Sequence, residues 1–329
     1  MVRVLITSAG GINGVNVIKA LRSDRLMRFF IVTTDAETMN PARHMSEKFY
    51  LTPKASDPKF IPVLKKICLK EKIQVLLPMY SAEIAELVNH QAEFALVGTK
   101  MALPSPAVFD LTWNKEKTHT FFAAHHIPFP PTYKKAELSS AKLDFPLFIK
   151  TTSGSGSKDA MTLIAKKDLA YHTNRLKNFI VQAHIGGEEY TIDALGDLKG
   201  KMIAASPRLR LEVKGGLATK SVTVYKPELV RYVKKIIETL KIAGPVNIQC
   251  KVWKNKPYFI EINTRFPSGG LPLTVRAGFN MPLLTVKMLL GKPLGKIKIK
   301  HGLAMLRYWD ALFTDKHGKK FHGFNQQFV

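Results

Sequence analysis

The sequence predicts two joined architectures, an α/β unit over roughly the first 100 residues and an α+β unit behind it. Three observations point there. Short apolar runs alternate with helix-period stretches up to about residue 100, the rhythm of a parallel sheet wrapped on both faces. Beyond about residue 145, strand-like runs follow one another with few helical interruptions, which is an antiparallel pattern. A content of 46% hydrophobic and 9% aromatic residues over 329 positions allows a sizeable core and excludes a disordered chain.

The elements follow in order. VRVLIT is a first strand running into AGGINGVNVIKALR, where Val15, Ile18 and Leu21 recur at helical spacing. FFIVTTD is a second strand ending at Asp35, DPKFIPVLKKICLKEK an amphipathic helix and IQVLLPMY a third, buried strand. SAEIAELVNHQ is helical, with Ser81 as its expected N-cap. A proline-rich turn, ALPSPAVF, opens the next part; TWNKEKTHTFFAAHH then reads as one helix ending near His125 and His126, and IPFPPTY breaks it. FPLFIKTT, DAMTLIA, FIVQAHI, EYTIDALGD, KMIAASPRLR, SVTVYK, VNIQCKVW and PYFIEINTR are strands, with helices expected at 167–178 and 227–242.

Composition narrows the function classes. No apolar run is long enough to span a bilayer. The start, MVRVLITSAGG, is a β-like run into glycine without the regions of a signal peptide, so the expectation is a cytoplasmic protein with no membrane partner. The two cysteines, Cys68 and Cys250, are expected as buried free thiols, and no Cys/His spacing suits structural zinc. Lys and Arg total 50 against 25 acids, a formal net charge of +25 that favours anionic partners. The basic residues are spread along the chain, and no nucleic-acid recognition pattern accompanies them.

Four stretches carry chemistry. AGGING, Ala9–Gly14, with Asp35 about the right distance on, is a degenerate dinucleotide fingerprint; glycines that merely permit a tight strand-to-helix turn explain it as well. In FIKTTSGSGSKDA, Lys150 closes a strand before the small loop Ser153, Gly154, Ser155, Gly156 and Ser157. Such a loop brings backbone N–H groups close to phosphate oxygens, and equally makes an ordinary hairpin. In FIVQAHIGGEEY, Gln182 ends a strand and Ala183–Ile185 follows neither periodicity. A crevice at His184 and Ile185 would offer backbone hydrogen bonds to a base, and Glu189 a carboxylate to sugar hydroxyls.

The fourth is YFIEINTRFPSGG. Strand residues two apart share a face, so Glu261, Asn263 and Arg265 project together, and Gln249 in VNIQCKVW can pair opposite them across the KNKP turn. Carboxylate and amide oxygens suit Mg²⁺ or Mn²⁺, and a guanidinium just beyond suits an anion at the metal's edge. The rival reading is a solvated strand face with an ion pair.

Taken in this order, the motifs resemble the ATP-grasp superfamily, in particular the half-domains of the carbamoyl-phosphate synthase large chain and single-copy carboxylate–amine ligases. The resemblance covers roughly residues 1–290. VNIQCKVW…YFIEINTR is similar to that family's metal-binding strand pair, GGINGVNVIKAL to its pre-ATP-grasp opening, and NKEKTHTFFAAHHIP to the helix before its lid. It implies a Rossmann-like pre-ATP-grasp domain over 1–100, an α+β ATP-grasp domain over 101–290 with a mobile lid at about 145–182, and a basic C-terminal extension over 291–329. It further implies that Lys115 and Lys150 touch ATP phosphates under the Ser153–Ser157 loop, that Gln182, His184 and Ile185 line the adenine slot, and that Glu189 holds the ribose. Gln249, Glu261 and Asn263 would coordinate one or two Mg²⁺, and Arg265 would stabilise the transferring phosphoryl group. Leu217 stands where relatives more often carry a polar residue.

The implied function is an ATP-dependent carboxylate–amine (or carboxylate–thiol) ligase working through an acyl phosphate on small-molecule substrates, with a homodimer as the family's assembly. Arg208 and Arg210, alternating on one strand face in SPRLRLEVKGG, are candidates to clamp the carboxylate substrate. The rivals are an NAD(P)-dependent oxidoreductase using Ala9–Gly14 and Asp35, and a non-catalytic polyanion binder driven by net charge.

Overall fold

The computed structural model describes residues 1–154 and 159–318. Strands β1 (Val2–Thr7), β2 (Phe29–Asp35), β3 (Lys48–Leu51) and β4 (Val75–Pro78) form a parallel sheet in the order β3-β2-β1-β4. Helices α1 (Ile12–Arg22), α2 (Phe60–Glu71), α3 (Ser81–Leu87) and α4 (Gln91–Leu96) belong to the same region. Alternation along β1 decides which face each element covers. Val4 and Ile6 pack with Val17, Ile18 and Leu21 of α1. Leu5, turned the other way, packs with Phe60 and Leu64 of α2 and Ile84 of α3.

Three local expectations need correction. β3 went unforeseen because it is a four-residue edge strand with no buried side chain to create alternation. Ser81 is not the cap of α3 but its first residue; Tyr80 occupies the N-cap and offers no side-chain bond. TWNKEKTHTFFAAHH is not one helix. α5 (Pro106–Trp113) stops and α6 (Lys115–Ala124) starts anew at Asn114, whose Oδ1 accepts from the N–H groups of Glu116 and Lys117.

Strands β5 (Thr132–Tyr133), β6 (Leu147–Thr151), β7 (Met161–Leu163) and, beyond α7 (Lys166–Arg175), β8 (Phe179–Ala183) make a small antiparallel sheet, β5-β8-β6-β7. β9 (Glu188–Gly196), β10 (Met202–Lys214), β11 (Leu217–Thr223), β12 (Gly244–Trp253) and β13 (Lys256–Asn263) build the large one. Its order is β13-β12-β9-β10-β11-β14, the last strand being Ala304–Leu306, and every pairing is antiparallel. Helix α8 (Pro227–Leu240) buries Leu229, Val233, Ile236 and Ile237 against that sheet.

Helices α9 (Leu271–Arg276) and α10 (Met281–Leu289) return to the first region: Leu271, Met281 and Leu284 share a core with α1. Asn280 Nδ2 donates to Ala20 O, tying α10 to the end of α1. The stretch expected as a basic extension from 291 is therefore part of the fold over its first half. Leu294, Ile297 and Ile299 pack on the same core, the Lys300 N–H donates to Ala277 O, and β14 pairs with β11. The alternating KIKIK lysines had masked an apolar face of period two. Among the described residues no helix is long and apolar enough to cross a membrane, and Cys68 and Cys250 are both buried and free.

The glycine-rich turn after β1 is a packing device. A Cβ on Gly14 would stand 2.2 Å from the carbonyl oxygen of Ala9, whereas one on Gly11 would meet nothing within 4 Å. Gly14→Ala is expected to cost about 3 kcal/mol, and Gly11→Ala less than about 1 kcal/mol as a cap substitution. Urea unfolding of the two variants beside the parent checks the contrast, and equal midpoints would refute it.

Candidate active site

Between the small sheet and the large one lies a cavity of about 1000 Å³. Its floor comes from period-two alternation in the large sheet: Thr191 and Glu189 on β9, Arg208 and Arg210 on β10, Asn247, Gln249 and Lys251 on β12, and Glu261 and Asn263 on β13 all line it. The β12–β13 register sets Gln249 directly opposite Glu261, and Asn247 opposite Asn263. Arg265 follows at the cavity edge, where its Nη1 donates to Phe266 O at 3.1 Å and Ser268 Oγ at 3.4 Å.

The roof carries the cations. Lys150 on β6 is buried, and its Nζ donates to Ile260 O at 3.4 Å. Burial pushes its ammonium down to about 8; the Glu261 carboxylate counters that shift and the Lys115 charge adds to it. Lys115, first residue of α6, donates from Nζ to Gly154 O at 3.2 Å, and burial lowers its pKa against the pull of Glu261. Burial likewise lowers the pKa of Arg265, again opposed by Glu261. Three cations thus share one carboxylate in a desolvated space, an arrangement suited to a polyanion.

His119 on α6, which the sequence reading did not single out, underpins this roof. Its Nε2 lies 3.3 Å from Ile260 O, the carbonyl that Lys150 also uses, and its Nδ1 lies 2.9 Å from Thr132 Oγ1. Gln182 lines the cavity on β8, but its Nε2 donates to Thr132 Oγ1 and lies 3.3 Å from His119 Nδ1. Its amide nitrogen therefore braces β5 and α6, and its backbone lies in a strand paired on both sides, with β5 and with β6. His184 and Ile185 line the cavity; Ile185 O accepts from Lys251 Nζ at 2.8 Å, and the His184 N–H donates to Pro146 O. Burial lowers the His184 pKa, with a smaller contribution from the Lys251 charge. Ser153 and Gly154 lie at the cavity rim; Ser155, Gly156 and Ser157 lie outside the described residues.

Both arginines proposed as a clamp have protein partners. Arg208 Nε and Nη2 donate to Asp193 at 2.9 and 3.3 Å, and both residues are buried. Arg210 forms an ion pair with Glu189, so the carboxylate expected to meet ribose hydroxyls already serves a cation. Asp193 also accepts from Asn247 Nδ2 at 2.8 Å and Thr274 Oγ1 at 2.5 Å. Period-two reading of EYTIDALGD and VNIQCKVW places Asp193 and Asn247 on the cavity face, but their pairing across three strands and α9 needed tertiary contacts.

The oxygens of Glu261, Asn263 and Gln249 fit a hard divalent cation. Among the described residues no group of three or more His, Cys, Asp and Glu side chains could hold a metal, so the set is one carboxylate with amides. Asn263 Nδ2 donates to Glu261 Oε1 at 2.9 Å, and Gln249 Oε1 accepts only a 3.5 Å contact from Arg210 Nη1. Such a sparse set suits Mg²⁺ shared with phosphate oxygens and waters.

The nicotinamide alternative meets an obstacle. Asp35 Oδ2 accepts from the Gly10 N–H at 2.7 Å and Oδ1 from the Glu37 N–H at 3.1 Å, so the chain itself occupies the carboxylate that a ribose would need.

The comparisons with known proteins come down on one side. Residues 4–102 match the family described as PylC-like, N-terminal domain, and residues 175–308 the one described as ATP-grasp in the biosynthetic pathway with Ter operon. The chain carries an ATP-grasp domain. The carbamoyl phosphate synthase large chain of Thermoanaerobacter sp. (strain X514) is 24% identical over 310 residues, which are 88% of this chain and 28% of that protein. The chain thus spans little more than a quarter of the curated relatives it matches. Among solved ATP-grasp structures, the biotin carboxylase domain of the Hydrogenobacter thermophilus 2-oxoglutarate carboxylase, a complex with MgADP, ADP and bicarbonate, superposes with a TM-score of 0.73 at 14% identity. That match covers 92% of this chain and 73% of the other. The L-amino acid ligase of Bacillus licheniformis gives 0.68 at 14% identity, over 91% and 78%. At such identities the likeness is one of fold: a Rossmann-like α/β domain followed by an α+β ATP-grasp domain.

His119 also generates a pH dependence. Burial, the Lys150 charge and a smaller contribution from Lys115 push its pKa from the ordinary 6.5 to about 3, although its bond to Ile260 O pulls upward. Between those two values the unfolded chain binds a proton that the folded chain refuses. This contribution is therefore complete above pH 6.5 and is lost as pH falls towards 3. Urea unfolding from pH 6 to 4 is expected to lose about 1.4 kcal/mol per pH unit from this group, a share absent in His119→Gln. Identical slopes in both proteins would disprove it.

Proposed function

We propose that the chain is an ATP-dependent carboxylate–amine ligase. The observation that carries the reading is the Gln249–Glu261 cross-strand pair, with Asn263 beside it, facing Lys150 and Lys115 across one cavity. Lys115 and Lys150 hold the triphosphate from above, and backbone groups at 183–185 receive the base. Glu261, Asn263 and Gln249 would hold Mg²⁺, which when bound would supply positive charge to offset that of the phosphates.

The γ-phosphoryl group passes from ATP to a carboxylate oxygen and ADP leaves. An amine then attacks the acyl carbon, the carbon–oxygen bond to phosphate breaks, and the amine's proton passes to solvent. Arg265, fixed through Phe266 O and Ser268 Oγ, points a desolvated guanidinium at the charge that spreads over the transferring group. Lys150 needs no partner beyond Ile260 O to stay in place, so its charge remains available to phosphate. Closure of the small sheet over the cavity would keep water from the acyl phosphate. A thiol in place of the amine would demand no change in these residues. We place the reaction in the cytoplasm, where ATP and small carboxylates meet.

The test is ADP release from ATP and Mg²⁺ across a panel of carboxylates, with hydroxylamine present to trap activated acyl groups as hydroxamates. Glu261→Ala is expected to lower turnover by a hundred- to thousandfold, about 3–4 kcal/mol, measured at a temperature where circular dichroism shows the variant folded. A variant with normal turnover would remove the metal assignment.

A further inference from the structure

Asp193 on β9 is fully buried beside the cavity floor, and four donor atoms from three other elements converge on it: Arg208 Nε and Nη2 on β10, Asn247 Nδ2 on β12 and Thr274 Oγ1 on α9. Resting on the ligase reading, we propose that Asn247, aimed by Asp193, is a specificity-determining residue. It selects an acid that carries a hydrogen-bond donor, hydroxyl or amino, on the carbon beside its carboxylate.

A carboxylate only accepts hydrogen bonds, so the Asn247 carboxamide must turn its nitrogen to Asp193 and its oxygen away. That oxygen has no hydrogen-bond partner among the described residues, yet it is not one of the polar atoms shut off from solvent without one. Asn247 lines the cavity, so its Oδ1 opens there. Arg208 is arranged alike. Its Nε and Nη2 lie side-on against Asp193, which offsets its charge, and Nη1, also unpartnered and not enclosed, is left as a donor on the cavity wall. Arg208 Nη2 and Asn247 Nδ2 share one oxygen, Asp193 Oδ1, at 3.3 and 2.8 Å, so the two side chains stand next to each other.

A fixed donor beside a fixed acceptor matches a small acid through two contacts. One carboxylate oxygen accepts from Arg208 Nη1, and the neighbouring hydroxyl or ammonium donates to Asn247 Oδ1. The β12–β13 register sets Asn247 opposite Asn263, so an acid bound there lies beside the candidate metal set. A plain acid would fill the same space and leave Oδ1 desolvated without a donor, and an acceptor stranded in that way costs more than a hydrogen bond gains. Because Oδ1 is uncharged, a hydroxyl and an ammonium both satisfy it.

Isothermal titration of the full chain, with ADP and Mg²⁺ present, compares acids matched in carbon skeleton: propionate with lactate and alanine, succinate with malate and aspartate, glutarate with 2-hydroxyglutarate and glutamate. In at least one series an acid with the donor is expected to bind at least about tenfold more tightly than the plain acid. In Asn247→Leu that preference should fall to about twofold or less, with the affinity for ADP and Mg²⁺ unchanged. Asn247→Thr, whose hydroxyl can still donate to Asp193 but which has no second polar atom for the cavity, should lose the preference too, and replaces the leucine variant if that one does not fold. No preference in any series, no acid binding at all, or a preference that survives in a folded variant would each overturn the proposal. Acid and ADP affinity lost together in both variants would make Asn247 a structural residue and overturn it as well. Hydroxamate formed as readily from the plain acids overturns the selection and upholds the ligase. A preference that the variants lose, with no ADP release from ATP in the parent, upholds the selection and overturns the ligase.

Discussion

The antiparallel pairing of β12 with β13 is the constraint from which the cavity follows. Because strand side chains alternate, one register brings Gln249 and Glu261 together on the cavity side and buries Ile248 and Ile262 on the other. A slip of one residue would exchange those sets, putting carboxylate and amide oxygens into the apolar core beneath α8. The core therefore enforces the register, and the register places the polar oxygens. The irregularity between Gln249 and Cys250 falls just beyond the pair, so the ladder through Asn247 and Gln249 stays in step.

Against that floor, the roof works by desolvation. Lys150, Lys115 and Arg265 all have pKa values lowered by burial and held up by the same Glu261 carboxylate. The small sheet is carried there by a polar relay of Gln182, Thr132, His119 and the Ile260 carbonyl, which joins β8, β5, α6 and β13. Keeping His119 neutral avoids a further positive charge beside Lys150. The two remaining arginines are neutralised within the protein, Arg208 by Asp193 and Arg210 by Glu189. Net charge over the whole chain thus says little about the cavity, where two arginines are paired within the protein and geometry decides which cations are left.

Much of the fold was legible because burial imposes period. FFIVTTD, VNIQCKVW and PYFIEINTR appear as strands nearly at the expected limits, since each has a buried face to advertise. β3 was not legible, because an exposed edge strand carries no such signal. The break at Asn114 was hidden because helical spacing continues across it while the capping bonds that divide α5 from α6 are local to the backbone. The KIKIK stretch was read by its charge, although its isoleucines pack on the core of the first sheet. In the cavity, the face shared by Glu261, Asn263 and Gln249 could be read two residues at a time, whereas His119 looked like any polar residue on a helix.

By itself, then, the sequence determined the order of the two architectures and which face each strand would turn towards the core, because hydrophobic periodicity is a local property of the chain. It also placed carboxylate, amide and guanidinium groups on one side of a strand. Tertiary structure alone decided which of those groups would be free. Arg208 meets Asp193 across two strands, Arg210 meets Glu189, and His119 reaches Ile260 across 141 positions of chain. Whether a buried charge is spent on the protein or left for a ligand depends on such long-range partners, which periodicity along the chain does not encode.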